Sequence, residues 1–223
     1  MKKQEISNVN ESCLGRLSEI PTSTIANALD EFGFHNNVLR SIKSVSPNFR
    51  LLGPAVTVKE ITGEVGTFSS DDFAIGQIID SASAGTIIVI EEGGKPYSTW
   101  GGMASLAAGL KGISGLVVDG GVRDVEEIIK FEFPVFAKHL VPTTGRTRIK
   151  VEAINVPITV DGVLIYPGDI ILGDGTGVLS IPFSKAQGIV ELAEKYVIDD
   201  NLAAAEIKSG LSFSDAMAKF KRI

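Results

Sequence analysis

The sequence lacks the features that mark secreted and membrane proteins. Cys13 is its only cysteine, so no disulfide can form within the chain, and a reducing compartment is the simplest expectation. The start, MKKQEISNVNESC, has no apolar core of a signal peptide, and no apolar run approaches the ~20 residues that span a bilayer. We therefore expect a cytoplasmic protein with no membrane partner.

Excess positive charge is also missing. The chain has 21 Lys and Arg residues against 27 Asp and Glu residues, which gives a formal net charge of -6. This balance argues against a general nucleic-acid surface and favours small molecules or proteins as partners. With 223 residues and 44% hydrophobic content, the chain has ample material for a core.

Several motifs of catalysis and cofactor binding are absent. The stretch GDGTG at 173–177 is followed by β-type residues rather than a helix, so a hairpin turn is expected there instead of a dinucleotide loop. His35 and His139 are isolated, and no Cys or His pair has metal-ligand spacing. A Ser-His-Asp triad has no supporting G-x-S-x-G motif.

The first two thirds of the chain predict an α/β arrangement. Helical spacing predicts a helix over 22–33, with Thr22 or Ser23 as its cap and Gly33 as its end. A second helix is expected within 69–85, and a loop over 93–102. Apolar strands then alternate with helices, which implies parallel βαβ connections; the strands are expected at 86–92, 115–121 and 133–141, and the helices at 103–112 and 124–131.

The remainder changes character. Residues 151–182 have strand signals throughout, and Asp161-Gly162 is suited to a two-residue hairpin turn. A long helical pattern and a short amphipathic tail follow. Because no low-complexity linker separates the halves, we expect one domain over 1–223, with its helical segment, about 184–223, packing on it or on a neighbouring subunit.

The stretch VVDGGVRD, residues 117–124, is the strongest candidate for a site. It places Arg123 and Asp124 at the carboxyl end of a predicted parallel strand, where ligands bind in such sheets. Gly120-Gly121 predicts a tight turn that lets a ligand approach. Arginine matches a carboxylate with two parallel hydrogen bonds, and an aspartate oxygen suits Mg²⁺ or Mn²⁺.

Ordinary structural roles are the alternative. Asp124 with Glu127 fits a capping box at a helix start, and Arg123 could pair with a surface acid. WGGMAS, residues 100–105, poses the same choice: its glycine pair could expose amides to an anion, or could simply begin a helix.

Much of the chain resembles a known family. The segments TSTIANALD, GPAVTVK, WGGMASLAAGLKGISGLVVDGGVRD, FPVFAK and INVPITVDGVLIYPGDIILGDGTGVLSIP are similar to the RraA-like family, which includes 4-hydroxy-4-methyl-2-oxoglutarate aldolases. The G-x-V-R-D element is the most specific. The resemblance implies an α/β fold of three layers (β/β/α, swivelling type) with mixed sheets, assembled as trimers or hexamers with sites between subunits.

The resemblance also implies an activity. It is a divalent-metal retro-aldol cleavage of 2-oxo acids that yields pyruvate, with oxaloacetate decarboxylation as a second reaction. Arg123 would hold the substrate and Asp124 would bind Mg²⁺ (or Mn²⁺). The backbone amides of the family loop would bind the substrate carboxylate; here that loop is Gly101, Gly102, Met103 and Ala104. Each reaction forms a pyruvate enolate, which Mg²⁺ and Arg123 would stabilise.

The chain departs from the family pattern at Gly102, where aldolases of the family commonly have an acidic residue. A further family carboxylate comes from the C-terminal region of a neighbouring subunit, for which Asp199, Asp200 and Glu206 are candidates. Asn27 stands where the family often has Asp.

Other functions stay open at this stage. A protein-binding regulator resembling the RNase E inhibitor would also fit a lost carboxylate at Gly102. Lys95 or Lys111 could form a Schiff base, a lower-ranked possibility. A methyltransferase is disfavoured, since no early strand is followed by a glycine-rich loop and a distal acid.

Overall fold

A mixed β-sheet built around the long strand β3 (Leu51–Thr62) organises the fold in the computed structural model, which describes residues 13–221. The chain divides into two compact units. One unit is Asn36–Phe183; the other joins the described residues before 36 to residues 184–221. Among the described residues, no helix combines the length and apolar character needed to cross a membrane.

Among residues 13–221, the Asn36–Phe183 unit contains every strand and three of the α-helices. The strands beside β3 are β1 (Val38–Leu39), β2 (Lys43–Ser44), β4 (Ile87–Glu91), β5 (Ser98–Trp100), β6 (Gly115–Val122), β7 (Val135–Leu140), β8 (Ile149–Ile154), β9 (Ile158–Val160), β10 (Val163–Ile165), β11 (Ile170–Gly173) and β12 (Val178–Ile181). Its α-helices are α2 (Ile75–Ser81), α3 (Gly102–Leu110) and α4 (Val125–Lys130).

Parallel pairing defines the centre of the sheet. Strands β3, β4, β6 and β7 are neighbours in that order and run parallel. Strand β5 pairs in parallel with the carboxyl end of β6. The first part of β3 pairs antiparallel with β11, and its second part with β8. The helices α3 and α4 follow β5 and β6, so their starts lie at the carboxyl ends of parallel strands.

Side chains of the central strands point alternately to the two faces of the sheet, and each face packs into its own hydrophobic core. Ile88 and Ile90 of β4 pack with Leu116, Val118 and residues of the helices, whereas Ile87, Val89 and Val117 face the β9–β10 hairpin. Successive side chains of a strand point to opposite faces, so a continuous apolar run is needed where both faces are covered. This hairpin, sheet and helix stacking confirms the expected three-layer α/β class.

Both predicted hairpin turns are present. Asp161 (φ 50°) and Gly162 (φ 81°) join β9 to β10 in the left-handed conformations that such turns require. The GDGTG stretch joins β11 to β12, with Gly173 opposite Val178, so no dinucleotide loop forms there.

Two local predictions were wrong, and the helix expected within 69–85 was right only in part. The expected loop over 93–102 contains β5, because its residues pair with the end of β6. The expected helix within 69–85 is a 3₁₀ turn, Asp71–Phe73, followed by α2, with Ala74 between them outside helical geometry. The N-cap of α1 (Thr22–Glu31) is Pro21 rather than Thr22 or Ser23, and no side chain caps that helix.

The second unit is helical. Residues 13–17, α1, α5 (Ala186–Lys208) and α6 (Phe213–Lys219) form it, and α1 packs on α5. Arg16 donates two hydrogen bonds to the carboxylate of Glu194 at 2.5 and 2.7 Å. The expectation that residues 1–223 form a single domain stays a prediction.

Gly53 on β3 lies against the backbone of Gly85, so a substitution at this position tests how closely the two segments pack. A Cβ at this position would overlap the carbonyl oxygen of Gly85, whereas a Cβ at Gly76 on α2 meets no atom within 4 Å. We expect Gly53→Ala to lower the free energy of unfolding by about 1–3 kcal/mol. Gly76→Ala should leave it unchanged or raise it by up to about 1 kcal/mol. Urea titrations measure both, and equal effects would contradict the assigned packing.

Candidate active site

The strand β6 delivers the Arg123-Asp124 pair to the edge of the sheet. The strand continues through Gly120 and Gly121 to Val122, so the interpretation of these glycines as a tight turn was wrong. A Cβ at Gly120 would collide with the carboxylate of Glu92, and one at Gly121 would collide with the carbonyl of Tyr97. The two glycines are needed because the carboxylate of Glu92 and the carbonyl of Tyr97 lie against the strand at these positions. The chain turns only after Val122.

Asp124 makes that turn. Its φ is 57°, in the left-handed region, and its side chain makes no capping hydrogen bond to α4. Instead, Oδ2 accepts a hydrogen bond from the backbone amide of Gly102 at 3.3 Å and lies 3.6 Å from Nε of Arg123. The capping-box alternative with Glu127 is therefore wrong, and the carboxylate faces the neighbouring strand-to-helix turn.

The start of α3 meets Asp124 through a glycine pair. A Cβ on Gly101 would lie 2.5 Å from Oδ2 of Asp124, so a larger residue there would displace the carboxylate from its present position. The amides of Met103 and Ala104 belong to the first turn of α3, where backbone N–H groups have no partner within the helix. Such amides bind anions, aided by the helix dipole.

Glu127 is a further candidate residue, which the sequence analysis considered only as a capping partner. A Cβ on Gly102 would overlap the carboxylate of Glu127, so that carboxylate fills the space that a side chain at 102 would take. Asp124 and Glu127 thus approach one glycine pair from the first turn of α4. The sequence feature that could have indicated this arrangement is an acid three residues after Asp124, together with a glycine at 102 where the family commonly has an acid.

A cavity of about 210 Å³ opens beside these groups. We call it the first cavity; its lining residues come from the 3₁₀ turn, α2, β5, the start of α3 and the end of β6, and are Phe73, Ile75, Ser98, Thr99, Trp100, Gly101, Met103, Ala104, Arg123 and Asp124. It therefore brings together all of the predicted site residues except Gly102, which lies between two lining residues. The backbone amide of Arg123 donates to the carbonyl of Trp100 at 3.0 Å and fixes its edge.

A second cavity, about 360 Å³, also includes Arg123 and Asp124 in its lining. It is lined by Val122, Arg123, Asp124, Val125, Glu126, Leu140, Val141 and Pro142. Arg123 and Asp124 line both cavities, with 46% and 42% of their side chains exposed. The two cavities therefore have these two charged side chains in common.

Other candidate residues lie away from both cavities. Lys111 donates to the carbonyls of Ile79 and Asp80 at 2.8 and 2.9 Å, and neither Lys111 nor Lys95 lines either of these two cavities. The described residues therefore give the Schiff-base alternative no support. His139 contacts the carbonyl of Gly94 at 3.1 Å, and His35 contacts Asp30 at 3.2 Å.

The acids proposed to reach a neighbouring subunit belong to the helical unit. Asp199 and Asp200 are exposed on α5, whereas the carboxylate of Glu206 accepts hydrogen bonds from Nζ of Lys219 at 2.6 and 2.7 Å. Asn27 is exposed on α1.

Three buried acids lie behind the first cavity, near the carboxyl ends of the parallel strands. Thr99, a lining residue, donates to Oε1 of Glu60 at 2.7 Å, and Gly121 donates its amide to Oε2 of Glu92 at 3.2 Å. Burial raises the pKa of Glu60 to about 8 and, with the nearby Glu60, raises that of Glu92 to about 10. Burial also raises the pKa of Asp119. Neutral Glu60 and Glu92 are therefore expected at pH 7.

These raised pKa values predict that stability declines as the pH rises. Between pH 4.5, the ordinary value for glutamate, and about 8, folded Glu60 keeps a proton that the unfolded chain releases. The unfolded state then binds fewer protons, so the free energy of unfolding falls across this window. Glu60→Gln retains an acceptor for Thr99 but cannot ionise, so its decline should be smaller.

Urea titrations at pH 5, 7 and 9 check this expectation. Glu132→Gln, at an exposed position, is the matched control and should keep the slope of the original chain. If Glu60→Gln and the original chain decline in parallel, Glu60 is not the group that loses its proton in this window.

Comparison with known proteins gives consistent matches. The RraA-like family model, described as Aldolase/RraA, matches residues 22–180. A protein of Halalkalibacterium halodurans, named "Putative 4-hydroxy-4-methyl-2-oxoglutarate aldolase", is 35% identical over 182 residues, which cover 81% of each chain.

Solved structures share the fold. A Pseudomonas syringae protein superposes with a TM-score of 0.83 at 28% identity, covering 92% of this chain and 96% of the other. Streptomyces coelicolor RraAS2, described as an unusual member of the RNase ES inhibitor RraA family, superposes with a TM-score of 0.79 at 24% identity. That match covers 87% of this chain and 98% of RraAS2, and at this identity it supports the fold alone.

Proposed function

Since this chain belongs to the RraA-like (Aldolase/RraA) family, we propose that it is a divalent-metal-dependent lyase of 2-oxo acids. The reaction is retro-aldol cleavage of substrates like 4-hydroxy-4-methyl-2-oxoglutarate, with release of pyruvate. Oxaloacetate decarboxylation is proposed as a second reaction of the same site, because both reactions leave negative charge on a pyruvate unit.

One observation supports this proposal above all others: three complementary groups meet at the first cavity. Arg123 offers a planar cation, Asp124 offers a carboxylate, and the start of α3 offers backbone amides. A 2-oxo acid has a carboxylate and an adjacent keto oxygen, which suit the amides and the guanidinium. The apolar side chains of Phe73 and Ile75 line the same cavity and would exclude part of the water around such a ligand.

The acidic residues at this site fit a hard divalent cation. Mg²⁺ is commonly held by one or two carboxylates and several waters, and Asp124 and Glu127 both approach the Gly101-Gly102 pair. Glu127 would then compensate for the missing acid at position 102. When bound, Mg²⁺ or Mn²⁺ supplies Lewis-acid stabilisation of negative charge on the keto oxygen.

The protein's own groups have separate roles in the proposal. The amides of Met103 and Ala104 bind and orient the substrate carboxylate. Arg123 places its guanidinium beside the keto side of the substrate, where negative charge increases as the carbon–carbon bond breaks. Gly101 keeps the space between the amides and Asp124 open, since any side chain there would contact the carboxylate.

Asp124→Asn tests the proposed site directly. We expect it to lower kcat/KM for pyruvate release from oxaloacetate by about 100-fold or more, because the divalent cation loses a negatively charged ligand. Asp80→Asn, at an exposed position on α2 that lines neither cavity, is the matched control and should keep the activity. Chelation with EDTA should abolish the activity, and Mg²⁺ should restore it. Activity that persists in Asp124→Asn and in EDTA would contradict the metal-dependent mechanism.

Glu127→Gln tests the role of the second carboxylate. Loss of one negative charge should raise the Mg²⁺ concentration required for half-maximal activity by about 10- to 100-fold, with partial recovery of the rate at saturating Mg²⁺. Glu132→Gln lies just beyond the same helix and should leave the Mg²⁺ requirement unchanged. Mg²⁺ titrations by calorimetry give the affinities without catalysis. Equal affinities in Glu127→Gln and the original chain would remove Glu127 from the site.

The alternative is a protein-binding regulator resembling the RNase E inhibitor. Pyruvate release from a panel of 2-oxo acids separates the two functions, because complete inactivity with Mg²⁺ present would favour the regulator. A homo-oligomer, either a trimer or a hexamer, also belongs to the proposal. It is supported by Met103 and Leu110, which are 70% and 82% exposed at positions seven residues apart on α3.

A further inference from the structure

Among the described residues, those that line the first cavity include no side chain suited to supply a proton at neutral pH. Arg123 and Asp124 are the titratable residues of the lining. A guanidinium keeps its protons in proteins, and Asp124 must be ionised to bind a divalent cation. Both proposed reactions nevertheless leave a pyruvate enolate, whose C3 carbon needs one proton to become pyruvate. That proton comes either from solvent or from an acid that reaches the cavity through a lining residue.

Thr99 is the lining residue that connects the first cavity to a buried acid. Its hydroxyl lies 2.7 Å from Oε1 of Glu60. Both residues are almost fully buried, with 1% and 4% of their surface exposed. The other hydroxyl of the lining, on Ser98, donates to the carbonyl of Trp100 at 2.8 Å instead. Because a hydroxyl both donates and accepts, Thr99 can receive a proton from a carboxyl group while giving up its own.

The surroundings of Glu60 keep a proton on its carboxyl group at pH 7. Oε2 of Glu60 is buried without a hydrogen-bond partner among the described residues, an arrangement that costs less for a neutral acid than for a carboxylate. Burial raises the pKa of Glu60 to about 8, against the opposing hydrogen bond from Thr99, and the nearby Asp119 of β6 adds to the rise. Glu92 of β4 is a further acid close to Glu60. The charged residues of β8 and of the 3₁₀ turn form ion pairs elsewhere: Lys150 with Asp72, and Glu152 with Lys59.

We propose that Glu60 supplies the proton that completes pyruvate, and that the hydroxyl of Thr99 passes this proton into the first cavity. The inference rests on the proposed function, because it requires the 2-oxo acid to occupy that cavity. In this arrangement Thr99 contacts the substrate, whereas Glu60 acts through Thr99.

Atoms and charges balance along this path in oxaloacetate decarboxylation. The bond between C3 and the C4 carboxylate breaks, its electron pair stays on C3, and CO₂ leaves. Oγ1 of Thr99 then transfers its hydrogen to C3 and accepts the proton of Glu60 across their 2.7 Å contact. The hydroxyl is restored, and Glu60 is left as a carboxylate. After pyruvate leaves, a proton from water returns to Glu60 by the same path.

Deuterium exchange into the methyl group of pyruvate isolates the proposed transfer, because no carbon–carbon bond breaks in it. NMR in D₂O with Mg²⁺ follows this exchange, and CO₂ release from oxaloacetate measures the bond cleavage that precedes the transfer. We expect Glu60→Gln to slow the exchange by about 100-fold, since the path loses its acid, while CO₂ release keeps most of its rate. A purely structural effect would lower both rates together.

The pH profile of the exchange identifies the acid. Exchange begins with removal of a C3 proton, which requires ionised Glu60, so its rate should rise as the pH increases through about 8, the pKa of Glu60, and then level off. Glu60→Gln should lose this rise. Glu92→Gln is the matched control, because Glu92 is also a buried acid of raised pKa but accepts from the amide of Gly121, which lines neither cavity. It should keep both the exchange rate and its rise.

Variants of Thr99 test the path without altering the acid. Thr99→Val removes the hydroxyl at nearly constant shape and should slow the exchange by about 100-fold, whereas Thr99→Ser keeps a hydroxyl and should retain it. The double variant of Glu60→Gln and Thr99→Val should exchange no more slowly than either single variant, because both residues serve one path. The Thr99 pair keeps the test open if Glu60→Gln does not fold.

The outcomes distinguish the inference from the proposed function. If the original chain releases CO₂ from oxaloacetate but does not exchange pyruvate hydrogens, the proton path is overturned and the lyase function stands. The same holds if Glu60→Gln and Thr99→Val exchange at the original rate, or if they lose both reactions in parallel. If the original chain shows neither reaction at any Mg²⁺ concentration, the proposed function fails and the inference fails with it.

Discussion

The contact between the carboxylate of Asp124 and the amide of Gly102 is the constraint around which the site is built. It joins two strand-to-helix turns that are 22 residues apart in the sequence. Asp124 reaches the amide because its backbone adopts the left-handed conformation, which sends the carboxylate toward α3 instead of back onto α4. The unusual backbone of one residue therefore positions a charged group that local sequence patterns would assign to a helix cap.

Glycine at 101 and 102 makes this approach possible. Gly101 leaves space for Asp124, and Gly102 leaves space for Glu127. The same two residues begin α3, so the carboxylates and the free helix amides lie side by side. Opposite electrostatic preferences thus meet within a few ångströms: a cation favours the carboxylates, and an anion favours the amides. A 2-oxo acid bound with a divalent cation would satisfy both.

Buried acids support the region behind the cavity. Asp119 accepts hydrogen bonds from the amides of Glu92 and Gly93 at 2.6 and 3.1 Å, and thereby fixes the chain where β4 ends. Glu60 binds Thr99 of β5 from the other side. Burying ionised carboxylates would be costly, and protonation of Glu60 and Glu92 avoids that cost while the groups remain in the fold. The position of β5 is consequently tied to these buried groups.

The sequence by itself determined the α/β class, the parallel strands, both hairpins and the position of Arg123 and Asp124 just beyond a strand end, because these follow from local periodicity and turn chemistry. Only the tertiary structure decided that the strand runs past Gly120-Gly121 to Val122 without a turn, that 98–100 pair with β6, and that Glu127 occupies the space beside Gly102. Each of these depends on residues distant in the chain approaching within a few ångströms. Sequence periodicity describes which face a residue presents, whereas these contacts depend on which segment lies opposite it.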